Sequence, residues 1–492
     1  MIFKNARKCF FAKTIFAKFS AISWRWEDDQ GITICTNTFS KYIMLNESAA
    51  ILFSLCDGRN QIGDIYQTFS KFYDGFAEND IKDMLEIFIK LHIIVTEGSG
   101  DILPVWTVKP CNHLKKKKHV PFRVEMYPKI MYKYRRKGQT VRFKYPLLAD
   151  IELLYNCNFD CKECYNESRK QTSMCTKKVY DIIDKVVQAR CLHVTLLGGE
   201  PLLRQDIFDI VKYCKKKGLL VKIITNGVLL TERIVRKLEG LHLDIIVISI
   251  DSLKKSVNSL TRANKQHNLI LKNIKIVANS SMAVAIGCTL NRKNLFDIFR
   301  FYNFAITNHI ETVRFLIIVP YPKKEKVYSR LRQVHMNYFF LLTASILLKL
   351  MMIYNRIVRE PVHIHFSSYP YGYCAAKSHL ISISPTGELS MCPHCSYTID
   401  NISGKDIIKI WRSRMFSRIV DYRSYRFPCN VCYKVGQCAG FCRAKAYAQT
   451  GDILGSQPDC PFAKVYIMLA KNSFIRKMIV SRELQDNKIV WL

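Results

Sequence analysis

"YNCNFDCKECYNE", Tyr155 to Glu167, follows the apolar run "LLADIELL" (147–154) and sets Cys157, Cys161 and Cys164 in the spacing C-x3-C-x2-C. A short apolar run of this kind predicts a buried strand, so three thiols are delivered together at a strand's carboxyl end. A structural zinc site takes four protein ligands, and this loop offers three. Iron–sulfur cubes are held by thiolates, and three of them leave one iron open to an exogenous ligand.

Downstream, strand-like runs alternate with helical ones: "HVTLLG" (193–198), "LLVKIIT" (219–225), "LDIIVISI" (243–250), "MAVAIGCTL" (282–290) and "TVRFLIIV" (312–319). With "DIELLY" these make six strands, and the alternation predicts a parallel α/β sheet with crossover helices, a partial (β/α)6 barrel. Chemistry in such folds sits at the carboxyl ends of the strands. Those ends carry Gly198–Gly199–Glu200–Pro201, Asn226 in "ITNG", and Ser249 and Asp251 in "ISIDS", with Arg262 downstream in "LTRAN".

On these residues the chain resembles the radical S-adenosylmethionine (SAM) enzymes. The resemblance implies a [4Fe–4S] cluster on Cys157, Cys161 and Cys164 whose open iron chelates SAM, with reductive cleavage to a 5′-deoxyadenosyl radical. It also implies cofactor contacts from Gly198, Gly199, Glu200, Pro201, Asn226, Ser249, Asp251 and Arg262. One departure is Glu163, where many members carry an aromatic residue before the third cysteine; Phe159 and Tyr165 flank it.

A second thiol array runs C-x12-G-x4-C from Cys374 to Cys392 and C-x2-C-x5-C-x3-C-x17-C from Cys429 to Cys460. This spacing is similar to the SPASM extension, which holds two auxiliary iron–sulfur clusters, making three [4Fe–4S] clusters in all. The resemblance implies Cys374, Cys392 and Cys442 for the first auxiliary cluster and Cys429, Cys432, Cys438 and Cys460 for the second. The first is then a ligand short: either Cys395 completes it or an iron stays open. His363, His365, His379 and His394 are read as ordinary polar residues, although His394 stands between two cysteines.

Ahead of the barrel, "GITICTNTFSKYIMLN" (31–46) predicts a strand hairpin, and three helical stretches follow. This is the layout of a winged helix-turn-helix-like domain, which would suggest nucleic acid. Residues 20–98 carry 6 basic and 12 acidic residues, a net of 6 − 12 = −6, and phosphates would repel them. Specific nucleic-acid binding is therefore not expected. "YIMLNESAAILFSLCDG" and the helices after it resemble PqqD-like domains, the recognition elements of ribosomal peptide maturation. These bind a precursor's leader as an added strand along the hairpin edge.

Residues 109–145, in contrast, hold 13 basic residues and one acidic, a net of 13 − 1 = +12, within a chain of net charge +35. The first 19 residues are interrupted by Lys4, Arg7, Lys8, Lys13 and Lys18, so no export signal is read and the 19 cysteines imply a reducing cytoplasm. "YFFLLTASILLKLMMIY" (338–354) contains Lys349 and falls short of the ~20 residues of a membrane span. It is read as a buried helix, and membrane association is not favoured.

The organisation read from the sequence is a basic tail (1–19), the PqqD-like domain (20–98), a basic linker (99–146), the barrel (147–335), a helical connection (336–373), the SPASM extension (374–470) and a tail (471–492). The function expected is cytoplasmic, oxygen-sensitive peptide maturation on a leader-bearing precursor. An external donor such as flavodoxin or ferredoxin supplies electrons, and a thioether or other cross-link is the product. A nucleic-acid-modifying or sulfatase-activating radical enzyme and a non-catalytic metal scaffold are the alternatives.

Overall fold

β-Branched and aromatic runs become strands, and the helices take the amphipathic stretches between them. A computed structural model describes residues 16–18, 22–27, 31–36, 42–58, 60–96, 121–126, 140–162, 164–166, 172–262, 266–317, 338–358, 362–366, 374–433, 435–457, 460–472 and 489–491. The chain divides into two units, Met1–Ile130 and Met131–Leu492.

In the first unit β1 (Phe16–Lys18), β2 (Ile22–Trp26), β3 (Ile32–Thr36) and β4 (Tyr42–Leu45) precede helices Glu47–Leu55, Ile62–Phe69 and Glu78–Lys90; β5 (Ile94–Thr96) and β6 (Val124–Met126) follow. β1 pairs with β5, and an antiparallel sheet runs β2-β3-β4-β6. Ile34 opposite Ile43 points into a core that includes Phe53, Phe69 and Phe88. Asn46 caps the first helix by accepting from Ala49 N at 3.3 Å, a bond that satisfies an otherwise orphaned donor.

β6 alters the expectation of an open hairpin edge. It lies along β4, with Ile43 opposite Met126 and Leu45 opposite Val124, so β4 is an inner strand and the edges of this sheet are β2 and β6. The segment comes from the stretch read as linker, where a three-residue strand gives too little periodicity to recognise. The linker's "KKKK" and "YRRK" lie outside the described residues.

In the second unit β7 (Thr140–Arg142) leads into β8 (Leu148–Leu154), β9 (His193–Gly198), β10 (Leu220–Thr225), β11 (Ile245–Ser249), β12 (Ala283–Leu290) and β13 (Thr312–Ile317). These last six are the strands read from the sequence, and they pair in parallel in chain order. The parallel run continues at both sides. β14 (His363–Phe366) joins β13, and β15 (Leu380–Ile383) joins β8 before β16 (Glu388–Ser390) and β17 (Asp400–Asn401) turn antiparallel. β18 (Ile489–Trp491) pairs with β7. Alternation along β8 sends Ile151 and Leu153 to the helix-covered core and leaves Asp150 and Glu152 for the opposite face.

Helix Tyr338–Val358 is not fully buried, contrary to its reading from composition. Ala344, Leu348 and Met351 pack inward, while Ile346, Leu350, Ile353 and Ile357 form an exposed stripe. Among the described residues no helix is long and apolar enough to cross a membrane.

The Arg142 guanidinium is fully buried, 4.1 Å over the Trp411 ring and 4.3 Å over Phe416, and Nη2 donates to the Trp411 carbonyl. The Trp411 indole returns a bond to Phe143 O at 3.1 Å. A charged hydrogen bond contributes about 1.5–3 kcal/mol and each stacked cation roughly 0.5–2 kcal/mol. Arg142→Ala should therefore destabilise the larger unit by about 2–4 kcal/mol, seen as a lower calorimetric Tm. Arg142→Lys should recover only part, since lysine keeps the charge without the planar stack.

Candidate functional site

The site is assembled where β8 and β9 end. Gly199 N donates to Leu154 O at 2.7 Å and Glu200 N to Asn156 O at 2.9 Å. A Cβ on Gly198, whose φ is +130°, would stand 2.2 Å from Leu154 O, and one on Gly199 would stand 1.9 Å from Asn156 O. Only glycine allows such an approach, and it fixes the residue preceding Cys157.

Glu200 is fully buried. Oε1 accepts from Leu202 N (3.1 Å) and Thr225 Oγ1 (2.7 Å), and Oε2 accepts from Asn226 N (2.8 Å). Both oxygens thus brace the end of β10 against β9, a role the sequence reading, which aimed Glu200 at the cofactor, did not contain. Burial pushes its pKa up to about 7. Pro201 opens a short 3-10 turn, Pro201–Leu203. Asn226 carries the brace into the cysteine loop: Nδ2 donates to Asn158 Oδ1 at 2.6 Å and lies 4.0 Å from Cys157 Sγ, while Oδ1 accepts from Val228 N at 3.1 Å. Phe159 N donates to the Cys157 sulfur at 3.4 Å.

Ser249 closes β11 opposite Gly287. Asp251, fully buried, accepts from Thr289 N (3.0 Å) and Thr261 Oγ1 (2.6 Å) and pairs with Arg262 Nε at 2.9 Å. The sequence reading gave these two residues separate cofactor contacts, and the fold pairs them with each other. Thr261 O accepts from Lys162 N at 2.8 Å, tying this turn to the cysteine loop. Asn258 Oδ1 accepts from Asp251 N at 2.9 Å, and Asn294 Nδ2 donates to Asp251 O at 2.7 Å. Neither asparagine was singled out; single amides in turns carry no pattern to find them by.

Inside the sheet, burial raises Asp150 against the opposing pull of Lys222 and pushes Glu152 up to about 8, with the Tyr165 hydroxyl pulling it partly back. The Tyr165 ring meets the His394 ring edge-on at 4.9 Å, joining the loop after Cys164 to the segment between Cys392 and Cys395.

The later thiols fall into two groups. Burial and then the neighbouring Cys395, Cys442 and Cys374 raise Cys392, and burial pushes Cys395 up to about 12 with Cys442 and Cys374 adding to it. Burial raises Cys460 too, and its neighbours are Cys438 and Cys429. Cys432 N donates to Cys429 O at 3.3 Å. Cys395 therefore stands with Cys374, Cys392 and Cys442. Two buried cations that the sequence reading missed adjoin these groups. Lys377 donates to Ala439 O and to Phe441 O at 2.8 Å; Arg443 donates to Gly455 O at 2.8 Å and lies 4.2 Å over Tyr425. Both lower the Cys442 thiol against its burial. Their signal was a basic residue beside Cys442 and another three positions after Cys374.

Among the described residues no three His, Cys, Asp or Glu side chains are arranged around a single metal ion. An iron–sulfur cube, several atoms across, needs thiols spread wider than the shell of one ion. Three thiols on one loop, none of them buried, suit that larger group in donor chemistry.

Three family models match the chain: the radical SAM superfamily over residues 151–305, the coenzyme PQQ synthesis protein D (PqqD) family over 31–94, and the iron–sulfur cluster-binding SPASM domain over 374–434. An AdoMet-dependent heme synthase of Methanosarcina barkeri is 28% identical over 338 residues, 64% of this chain and 96% of that protein. Mycofactocin maturase MftC of Mycobacterium tuberculosis is 24% identical over 336 residues, 64% of this chain and 83% of the relative. Among solved structures, Streptococcus suis SuiB bound to its precursor peptide SuiA superposes with a TM-score of 0.61 at 18% identity, covering 91% of this chain and 100% of that one.

Glu152 and Glu200 hold protons in the folded state that the unfolded chain, titrating near 4.5, has released. Their contribution to stability is full below that value and is lost as pH rises through about 7 for Glu200 and about 8 for Glu152. Glu152→Gln keeps the neutral form. Its Tm should fall less than the wild type's between about pH 5 and pH 8, a difference equivalent to a few kcal/mol, since each tenfold change in proton affinity is worth about 1.4 kcal/mol. Parallel profiles would show that Glu152 ionises without cost.

Proposed function

We propose that this chain, matched in turn by the PqqD, radical SAM and SPASM family models, is a radical SAM maturase of a ribosomally made precursor peptide. It would capture the leader with the first unit and modify the core peptide at the barrel. The observation that carries this reading is the conjunction of the C-x3-C-x2-C loop with the glycine clamp at Leu154 and Asn156 and a PqqD match in one chain.

A [4Fe–4S] cluster with SAM would supply, when bound and reduced, the 5′-deoxyadenosyl radical that takes a hydrogen atom from the peptide. Cys157, Cys161 and Cys164 would hold that cluster. Gly198 and Gly199 let the ends of β8 and β9 close on each other and so fix where that loop begins, while Glu200 and Asn226 hold the cysteine loop at the carboxyl ends of β9 and β10. Ser249 and the Asp251–Arg262 pair line the next strand end, where Arg262 offers a cation to a carboxylate ligand. Cys374, Cys392, Cys442 and Cys395 would hold one auxiliary cluster; Cys429, Cys432, Cys438 and Cys460 would hold the other. Lys377 and Arg443 offset the negative charge of the thiolates.

A flavodoxin- or ferredoxin-type protein would deliver the electron, in the cytoplasm, and a thioether is the first product to look for. A second reading, heme synthesis, is favoured by the 28% identity to the M. barkeri enzyme. It gives no role to the first unit.

After anaerobic reconstitution with iron and sulfide, the dithionite-reduced protein should convert SAM to 5′-deoxyadenosine. Cys157→Ala, Cys161→Ala, Cys164→Ala combined should abolish that conversion while lowering bound iron by only about one third, if three cubes are present. Undiminished 5′-deoxyadenosine from the triple variant would overturn the proposal. Loss of nearly all iron would overturn the auxiliary ligand sets.

A further inference from the structure

Strand addition needs a free sheet edge, and the edge of β4 is filled by the chain itself. Residues 121–126 run antiparallel along it. Asn46 fixes their entry with three bonds: its N donates to Arg123 O (3.1 Å), its Oδ1 accepts from Arg123 N (2.8 Å), and its Nδ2 donates to Pro121 O (3.0 Å). Between those contacts the Phe122 ring stands 4.6 Å from Phe76 and 5.6 Å from Phe69. Pro121 and Arg123 are exposed.

We infer that residues 121–126 are a tethered stand-in for a peptide ligand. The edge of β4 and the Phe69–Phe76 pocket are a strand-addition site for an extended segment with an aromatic anchor and basic flanks, and that segment binds by displacing β6. This deepens the leader-capture reading, on which it rests, by giving the leader a chemistry and a competitor.

Three observations support displacement. β6 spans three residues, and just ahead of it the Phe122 ring packs against Phe69 and Phe76. The bonds to Asn46 are made by backbone atoms, which any peptide presents, so they select a conformation and leave the choice of sequence to the pocket. Charge favours a basic ligand, because residues 20–98 are net −6 while the stretch that supplies β6, 109–145, is net +12. The tether gives β6 a high effective concentration, so a weakly matched peptide is excluded and a well-matched one is admitted.

The test uses the full-length chain and a fluorescein-labelled peptide of residues 115–128, KKKKHVPFRVEMYP, which keeps the basic flank. Fluorescence anisotropy should show at least tenfold tighter binding to Phe122→Ala than to the wild type, because the tethered competitor has lost its anchor. Binding to both should weaken as salt rises. Hydrogen exchange on the wild type with excess unlabelled peptide should show amides in 121–126 opening while β3 and β4 keep their protection. Equal affinity for the two proteins, or a protected 121–126 under saturating peptide, would overturn the proposal and make β6 a permanent fourth strand. Should Phe122→Ala not fold, the exchange experiment on the wild type decides alone. SAM cleavage is a separate readout: its loss would refute the radical chemistry and leave the peptide result standing, and the converse holds as well.

Discussion

The carbonyl of Asn156 and the Cα of Gly199 approach so closely that no side chain fits between them, and the proposed cofactor site depends on that contact. It locks the end of β8 to the end of β9, so the thiol loop begins from a fixed point. Glu200, the next residue, is thereby placed under Thr225 and Asn226, and Asn226 reaches Asn158 beside Cys157. Three strand ends are cross-linked by hydrogen bonds before any cofactor arrives. A larger residue at position 199 would have to push Asn156 away, moving the cysteine loop with it.

Much of this was legible in the sequence because the signals were local. Thiol spacing, paired glycines at a strand end and the alternation of apolar runs each report on a few neighbouring residues, and β8 to β13 stand where those runs stand. What escaped depends on pairing between distant residues. "HIHF" at β14 has no apolar run, and "LISI" at β15 lies among the later cysteines; both are strands because β13 and β8 offer them an edge. β6 is three residues of linker recruited by β4. Asp251 and Arg262 were both marked as site residues, but only the fold shows that each is the other's partner. The inner carboxylates of β8 were hidden by their apolar neighbours, since alternation inside a mostly buried strand reads as a continuous run.

The same burial that organises the later thiols sets the terms for loading them. Desolvation raises Cys392, Cys395, Cys438, Cys442 and Cys460, and close packing of thiols adds to it for several. Such thiols are neutral near neutral pH, whereas a metal ligand must be a thiolate, so ligation and proton release are coupled. Lys377 and Arg443 work against that cost. Their carbonyl partners hold both cations in place within the fold, and each lowers Cys442.

Charge is divided along the chain in a way that suits a peptide more than a nucleic acid. A phosphate backbone would be repelled by the acidic module and attracted by the basic stretch, and those two segments meet in one sheet, because β6 of the basic stretch pairs with β4 of the acidic module. The backbone of the basic stretch is thus already paired with the module's own sheet. A peptide that replaces β6 must match it in backbone and in charge, and on doing so it frees the segment around Arg123 from the module. Recognition and release are then one event at the edge of β4, because the edge accommodates one neighbouring strand at a time.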